Sequence, residues 1–376
     1  MKYYIIAGEA SGDLHGSNLI KALREKDGKA SIRCWGGDLM RNAGGDLAKH
    51  YKEMAFMGFL EVLANLGTIA KNIKYCKGDI ERFNPDVLIF IDFSGFNLRI
   101  AKWAKGAGFK TAYYISPQIW ASREGRIKDI KRDIDDMYVI LPFEKKFYEE
   151  KHGYPVHFVG HPLIDALGMS PTKEEKEFRE DNNLDPQKPI VAILPGSRKQ
   201  EVRKMLALML SVIPAFPDYE FVIAGAPSLE YDFYAPFLTT QHVGFVDNRT
   251  HALLNHSYAA LVTSGTATLE TALLKVPQVV CYRANWLSYQ IARRIITLDY
   301  ISLVNLIMGR EVVKELIQGD LNTKNLEREL TKILEGPGRK GQFEAYYELE
   351  VKLGGKGASS KAAQLIVANI KGESHT

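Results

Sequence analysis

Cysteine is scarce: Cys34, Cys76 and Cys281 are the only three in 376 residues. They are odd in number, far apart and mostly inside apolar runs, which fits packed thiols in a reducing compartment, and no metal-ligand spacing relates them. The nine histidines form no H-E-x-x-H pair. The opening glycines fall at Gly8, Gly12 and Gly16 rather than as G-x-G-x-x-G, so the dinucleotide fingerprint is missing. Asp133 and Asp135 imitate a metal-nucleotide carboxylate pair, but they stand on the approach to a strand, and no metal or other cofactor is expected. No apolar run nears the ~20 residues that span a bilayer, so any membrane contact must be peripheral. The apolar run before Gly8 is too brief for a signal-peptide core, which implies a cytoplasmic chain. A charge excess is also missing. Lys plus Arg number 49 against 45 Asp plus Glu, a net +4 too small for a nucleic-acid polyelectrolyte. Neither internal repeats nor low-complexity tracts occur.

What remains is ordinary globular composition, 46% hydrophobic and 25% charged, in a chain long enough for two domains. Short apolar runs (KYYIIA, DVLIFID, KTAYYI, MYVILP, VHFVG, then PIVAILPGS, EFVIAG, AALVTS, QVVCYR) alternate with helical patterns. Continuous apolar strands between amphipathic helices indicate parallel sheets covered on both faces. The pattern restarts after the charged stretch Ser170 to Pro189. The expected fold is therefore α/β, with two doubly wound Rossmann-like domains facing a cleft: residues 1–169, residues 170–340, and C-terminal helices 341–376 returning to the first domain.

Five segments carry chemistry. In IIAGEASGDLHGSNLI a strand passes into a helix through small residues, so Glu9, Ser11 and Asp13 are expected to face a ligand. DVLIFID ends in Asp92 at the carboxyl end of a parallel strand, where open α/β sheets bind ligands, which makes it the leading general base, with an Asx turn or N-cap as the bland alternative. LPGSRKQEV places Ser197 and Arg198 at a strand-to-helix turn suited to phosphate, or else to a Ser-capped turn. TSGTATLE places Gly265 and Thr266 at a helix start that can hold a diphosphate, with Glu270 one turn on and able to accept from a ribose diol. Asn305 lies on a loop-like segment before a helix and suits either a base edge, a sugar or a turn cap. Separately, Met54 to Lys77 lines up Phe56, Phe59, Leu60, Leu63 and Leu66 on a helical face ending in lysines. That pattern is common to buried helices and to helices lying on anionic membranes.

Taken in order, AGEASGD, SPQIWASREGRIKDI, LPFEKKFYEE, FVGHPLID, LPGSR, SGTATLE and DYISLVNLIMGREVVKELIQ resemble the lipid-A-disaccharide synthase family from Tyr3 to about Gln318. The resemblance implies a metal-independent, inverting glycosyltransferase of the GT-B type. Its substrates would be UDP-2,3-diacylglucosamine and 2,3-diacylglucosamine 1-phosphate, and its products a β-1,6 disaccharide 1-phosphate and UDP. It also implies Asp92 as base with Glu9 in reserve, Arg198 and Asn305 at matched motif positions, and acyl-chain or inner-membrane contact through residues 54–77. A homodimer that exchanges C-terminal helices, and no nucleic-acid partner, complete the expectation. One departure stands out: DFSGFN has Gly95 where family members often carry a second acid. Two competitors are a UDP-N-acetylglucosamine epimerase type, which needs no lipid acceptor, and a non-enzymatic peripheral-membrane protein.

Overall fold

An apolar strand has to be covered on both faces, and the nine strongest apolar runs in the chain all contain strands. The computed structural model describes residues 1–53, 66–168, 174–226, 229–238, 243–284 and 299–372. The segment 54–65, with Phe56, Phe59, Leu60 and Leu63, lies outside the described residues. Of Leu66 only the backbone is described, at the start of helix Leu66–Phe83. The chain divides into two units, one made of Met1–Ala166 with Leu353–Thr376 and the other of Leu167–Lys352.

In the first unit β1 (Lys2–Ala7), β2 (Ser31–Gly36), β3 (Asp46–His50), β4 (Val87–Ile91), β5 (Thr111–Tyr114), β6 (Asp136–Val139) and β7 (His157–Phe158) form one parallel sheet. Its order is β3-β2-β1-β4-β5-β6-β7, so the strand order reverses between β1 and β4. In the second unit β8 (Ile190–Leu194), β9 (Glu220–Gly225), β10 (Gly244–Asp247), β11 (Ser257–Thr263), β12 (Gln278–Tyr282) and β13 (Lys314–Ile317) are also parallel. Their order is β10-β9-β8-β11-β12-β13, which reverses between β8 and β11. Each sheet therefore has one switch point where two loops part to opposite faces and leave a crevice at the strand ends.

β8 shows how both faces are filled. Val191 and Ile193 enter the core under helices Lys199–Leu210 and Thr323–Leu334, while Ile190, Ala192 and Leu194 enter the opposite core with Leu253 and Leu254. All but Leu194 are fully buried; each large side chain so buried contributes roughly 1.5–3 kcal/mol.

The chain returns to the first unit later than expected, at Leu353 rather than residue 341. Helix Gly338–Lys352 stays with the second unit because its buried face is built for it. Gln342 exchanges hydrogen bonds with the Gln278 backbone (2.8 and 3.1 Å), and the Tyr346 hydroxyl donates to Gln342 Oε1 at 2.7 Å. Gly354 and Gly355, both at positive φ, then turn the chain. Helix Ala358–Lys371 packs on helix Ala10–Lys26, tied by Gly357 N to Asp165 Oδ1 at 2.6 Å and by Asn369 to Asp136 at 2.9 Å. Among the described residues no helix is long and apolar enough to cross a membrane.

Candidate active site

Of the residues singled out from the sequence, Glu9 and Asp92 stand at one switch point and Ser197, Gly265, Thr266 and Glu270 at the other, one in each unit. At the first, β1 ends in Gly8-Glu9 and β4 ends at Asp92, side by side in the sheet. The backbone there is unusual: Asp92 and Phe93 both hold positive φ, 42° and 45°. Two consecutive non-glycine residues in the left-handed region are costly and persist only where the surroundings enforce them.

Three groups enforce this turn. Asn97, fully buried, donates through Nδ2 to the carbonyl of Asp92 at 2.8 Å and that of Ile91 at 3.2 Å. The buried Tyr113 hydroxyl donates to the same Asp92 carbonyl. The Phe93 ring lies on Gly8, where a Cβ would stand 2.3 Å from the ring carbons. Position 8 is thus glycine because the ring occupies the space any larger residue needs. The product of this strain is a carboxylate turned outward: Asp92 and Glu9 are both exposed.

Although reachable from solvent, the Asp92 carboxylate sits in a crowded wall. Loss of hydration, then the nearby Glu9 charge, push its pKa up to about 6, against a smaller opposing pull from the Phe93 amide. Such a group is a competent proton acceptor near neutral pH. Ser11, on the first turn of helix Ala10–Lys26, is exposed as well.

Asp13 does not belong with them. Its side chain is buried, and its carboxylate accepts from the amides of Gly37 (2.7 Å), Met40 (3.0 Å) and Leu39 (3.1 Å). It caps helix Asp38–Asn42, so the expectation that it lines the crevice is corrected. Its burial and three amide donors turn this carboxylate to the protein's own backbone.

At the second switch point the ends of β8 and β11 bound a pocket of about 670 Å³ lined by Gly196, Ser197, Gly265, Thr266, His251 and Glu270 among others. Gly196 has φ +106°, and a Cβ there would meet Glu201 Oε2 at 2.5 Å, so only glycine lets the loop close beside that carboxylate. Helix Thr266–Leu273 begins at Gly265. The amides of its first turn have no preceding helical carbonyl and present positive potential to the pocket.

Nothing lies within 4 Å of where a Gly265 Cβ would be. Beneath it, Thr263 is buried and its hydroxyl has no hydrogen-bond partner. Glu270 is half-buried and faces His251, with Oε2 to Nε2 at 3.2 Å. Arg198 is exposed at the start of helix Lys199–Leu210 but is not among the residues lining the pocket.

Asn305 is the second correction. It lies inside helix Leu303–Met308 and is fully buried. Its Oδ1 accepts from Val312 N (2.7 Å) and Val313 N (3.0 Å). Its Nδ2 donates to Val313 O and Glu315 Oε1, both at 2.9 Å. With all four positions used, it anchors the loop into β13 and has none left for a base or sugar. Among the described residues, no three His, Cys, Asp or Glu side chains cluster as a metal site.

The model of one protein family, described as "Lipid-A-disaccharide synthetase", matches residues 3–370. The chain belongs to that family. Lipid-A-disaccharide synthase of Trichlorobacter lovleyi is 38% identical over 374 residues, covering 98% of this chain and 97% of that one. The synthase of Geobacter metallireducens is 39% identical over 370 residues, with 96% of each chain covered. Among solved structures, the S. aureus MnaA–UDP complex superposes with a TM-score of 0.69 at 12% identity, covering 99% of this chain and 97% of that one. UDP-GlcNAc 2-epimerase from Neisseria meningitidis, bound to UDP-GlcNAc, gives 0.64 at 13% identity over 99% and 100%. At such identities the structures establish the fold: two Rossmann-like α/β domains of the GT-B kind.

For this synthetase family member, the sequence reading missed several residues. Asn97 and Tyr113 shape the Asp92 turn without touching solvent. Glu144, fully buried, gathers Ser116 Oγ (2.5 Å) and Trp120 Nε1 (3.2 Å) on one oxygen, and the amides of Ile140 (3.1 Å) and Leu141 (2.8 Å) on the other. Burial raises its pKa and these bonds oppose the rise. This single carboxylate joins two of the motifs, SPQIW and LPFE, and fixes the loop beyond β5. The available signal was that the two motifs follow β5 and β6, which are neighbours in the sheet.

Proposed function

We propose that this chain transfers 2,3-diacylglucosamine from UDP-2,3-diacylglucosamine to 2,3-diacylglucosamine 1-phosphate, giving the β-1,6 disaccharide 1-phosphate and UDP with inversion. Membership of the family supports the reaction, and the single observation that carries the mechanism is the outward Asp92 carboxylate, tuned to about 6 at a switch point. In this reading Asp92 takes the proton of the acceptor hydroxyl as its oxygen attacks the donor's anomeric carbon. Glu9 keeps the basicity of Asp92 high, and Ser11 contacts the acceptor.

The diphosphate leaves against the amides of Gly265 and Thr266, the Thr263 hydroxyl and Ser197, with Arg198 at the rim. Preorganised donors of this kind stabilise charge as it develops. Glu270, steadied by His251, accepts from the ribose diol. No step of this scheme calls for a metal ion.

The acyl chains suggest where the protein works. The pattern of Phe56, Phe59, Leu60, Leu63 and Leu66, followed by the exposed Lys71 and Lys74, supports peripheral binding to the anionic cytoplasmic face of the inner membrane. Exchange of helix Ala358–Lys371 between two copies would conserve its contacts with helix Ala10–Lys26, so a swapped homodimer is part of the proposal; light scattering of the purified protein tests it.

The function is tested by incubating the protein with both acylated sugars in detergent and following lipid product by mass spectrometry alongside UDP. Disaccharide and UDP should appear together and only when both sugars are present. UDP released without acceptor, or a donor epimerised at the sugar, would replace this reading with the epimerase one.

A further inference from the structure

The pocket at the second switch point holds a carboxylate with no partner. Glu201 lines it, half-buried, on the first turn of helix Lys199–Leu210. Arg198, Lys199, Arg203 and Lys204 flank it in the sequence, yet among the described residues Glu201 makes no ion pair or hydrogen bond. The carboxylate turns instead onto the Gly196 backbone, where a Cβ would stand 2.5 Å from Oε2 and 2.8 Å from Cδ. Glu270, the other acid lining this pocket, differs in being paired with His251.

The pocket crosses the strand ends from one face of the sheet to the other. Helix Thr250–Asn255, which carries His251, covers one face through Leu253 and Leu254, and Ala267 of helix Thr266–Leu273 packs on that same core. Helix Lys199–Leu210 covers the opposite face through Val202, Met205 and Leu206. Between them stand the ends of β8 and β11, in register at Leu194 and Val262, with the unpartnered Thr263 hydroxyl. Two helix N-termini thus border one pocket, and their charge differs. The first turn of Lys199–Leu210 contains Glu201, whereas that of Thr266–Leu273 contains no acid. An anion is drawn to the bare N-terminus and repelled from the occupied one.

We propose that Glu201 binds the hexose of the donor, accepting hydrogen bonds from its free hydroxyls, while its charge keeps the diphosphate at the Thr266–Leu273 end. This rests on the transferase reading above, which puts the ribose at Glu270 and the diphosphate at Gly265 and Thr266. In a nucleoside diphosphate sugar the hexose follows the diphosphate on the side away from the ribose, so it arrives at Gly196 and Glu201. An ionised carboxylate only accepts hydrogen bonds, and phosphate oxygens offer it none. Sugar hydroxyls do, in charge-assisted bonds. With the 2- and 3-positions of the donor hexose acylated, the hydroxyls left for Glu201 are the 4- and 6-hydroxyls.

The test is calorimetric titration of the full chain with UDP, with UDP-N-acetylglucosamine, and with the 4,6-dideoxy analogue of that nucleotide sugar, which has the same charge. Wild type, Glu201→Gln and Glu201→Ala are compared, with thermal unfolding to confirm that the variants fold. The wild type should prefer the hydroxylated sugar to its dideoxy analogue by about tenfold. Glu201→Ala should erase that preference by losing about tenfold for the hydroxylated sugar alone, and should bind UDP at least as tightly as the wild type. Glu201→Gln should fall in between.

A wild type that does not distinguish the two sugars overturns the proposal without any variant. Equal weakening of all three ligands by Glu201→Ala overturns it too, since that would make the side chain a support of the loop, as does a preference that survives the substitution. A hydroxyl preference that depends on Glu201, in a wild type that transfers nothing to the lipid acceptor, would strike the transferase reading and leave this site standing. Transfer by a wild type whose hydroxyl preference is indifferent to Glu201 would strike only the site.

Discussion

Lowering the pH from 8 to 5 should remove about nine-tenths of the catalytic efficiency, and the structure says why. A base works only when ionised, and Asp92, raised to about 6 by loss of hydration in its crowded wall and by Glu9, is about one-tenth ionised at pH 5 and nearly fully ionised at pH 8. An ordinary aspartate would still be about nine-tenths ionised at pH 5, leaving the rate almost unchanged. The assay is kcat/KM for the lipid acceptor from pH 4.5 to 8.5, which reports the free enzyme. Glu9→Gln should move the acid limb to lower pH, because it removes the second cause of the shift and leaves the loss of hydration in place.

The same shift has a sign in stability. With the folded pKa above the unfolded one, the penalty is absent below the ordinary aspartate range, grows through about 6 and is complete above it. Asp92→Asn should therefore raise the melting temperature at pH 8 and have progressively less effect toward pH 4. A rate that stays flat down to pH 5, or an acid limb indifferent to Glu9→Gln, would refute the reasoning.

Further outcomes follow from other contacts. Gly265→Ala meets no protein atom but puts a methyl group into the pocket; UDP affinity measured by calorimetry should fall several-fold while the melting temperature holds. Asp13→Ala strips three amides of their acceptor and should cost about 1–3 kcal/mol in urea unfolding, without altering the acid limb of the pH profile. Asn97→Ala frees the Asp92 carbonyl from one of its two clamps; kcat should drop more than acceptor KM rises, and Asn97→Asp should not rescue it, since the donor is lost.

Much of this architecture was legible because parallel strands covered on both faces leave unbroken apolar runs, and all nine such runs became strands. The four strands not read, β2, β3, β10 and β13, lack that signature for physical reasons. β3, β10 and β13 are sheet edges, where one side needs no apolar partner and sequences such as DLAKH and KELI suffice. β2 carries Arg33, which is tolerated because Asp79 accepts two of its hydrogen bonds, at 2.7 and 2.9 Å.

Asp92 could be read from its place at a strand end, but its left-handed backbone could not, since that depends on Asn97, Tyr113 and Phe93 acting together. Asp13 and Asn305 were misread for one reason. A polar side chain near a glycine turn looks the same whether it meets a ligand or the protein's own backbone, and the amides that claim Asp13 lie more than twenty residues away, at Gly37, Leu39 and Met40. Glu144 depends equally on contacts between loops that the sequence keeps apart, at Ser116 and Trp120.

The central claim is that Asp92 removes the acceptor proton. Its most direct measurement is the single-turnover rate of Asp92→Asn with both acylated sugars in detergent, beside the UDP affinity of the same preparation. The account predicts a rate lower by about 10²–10⁴ with UDP bound as tightly as by the wild type; turnover within a few-fold of wild type would contradict it.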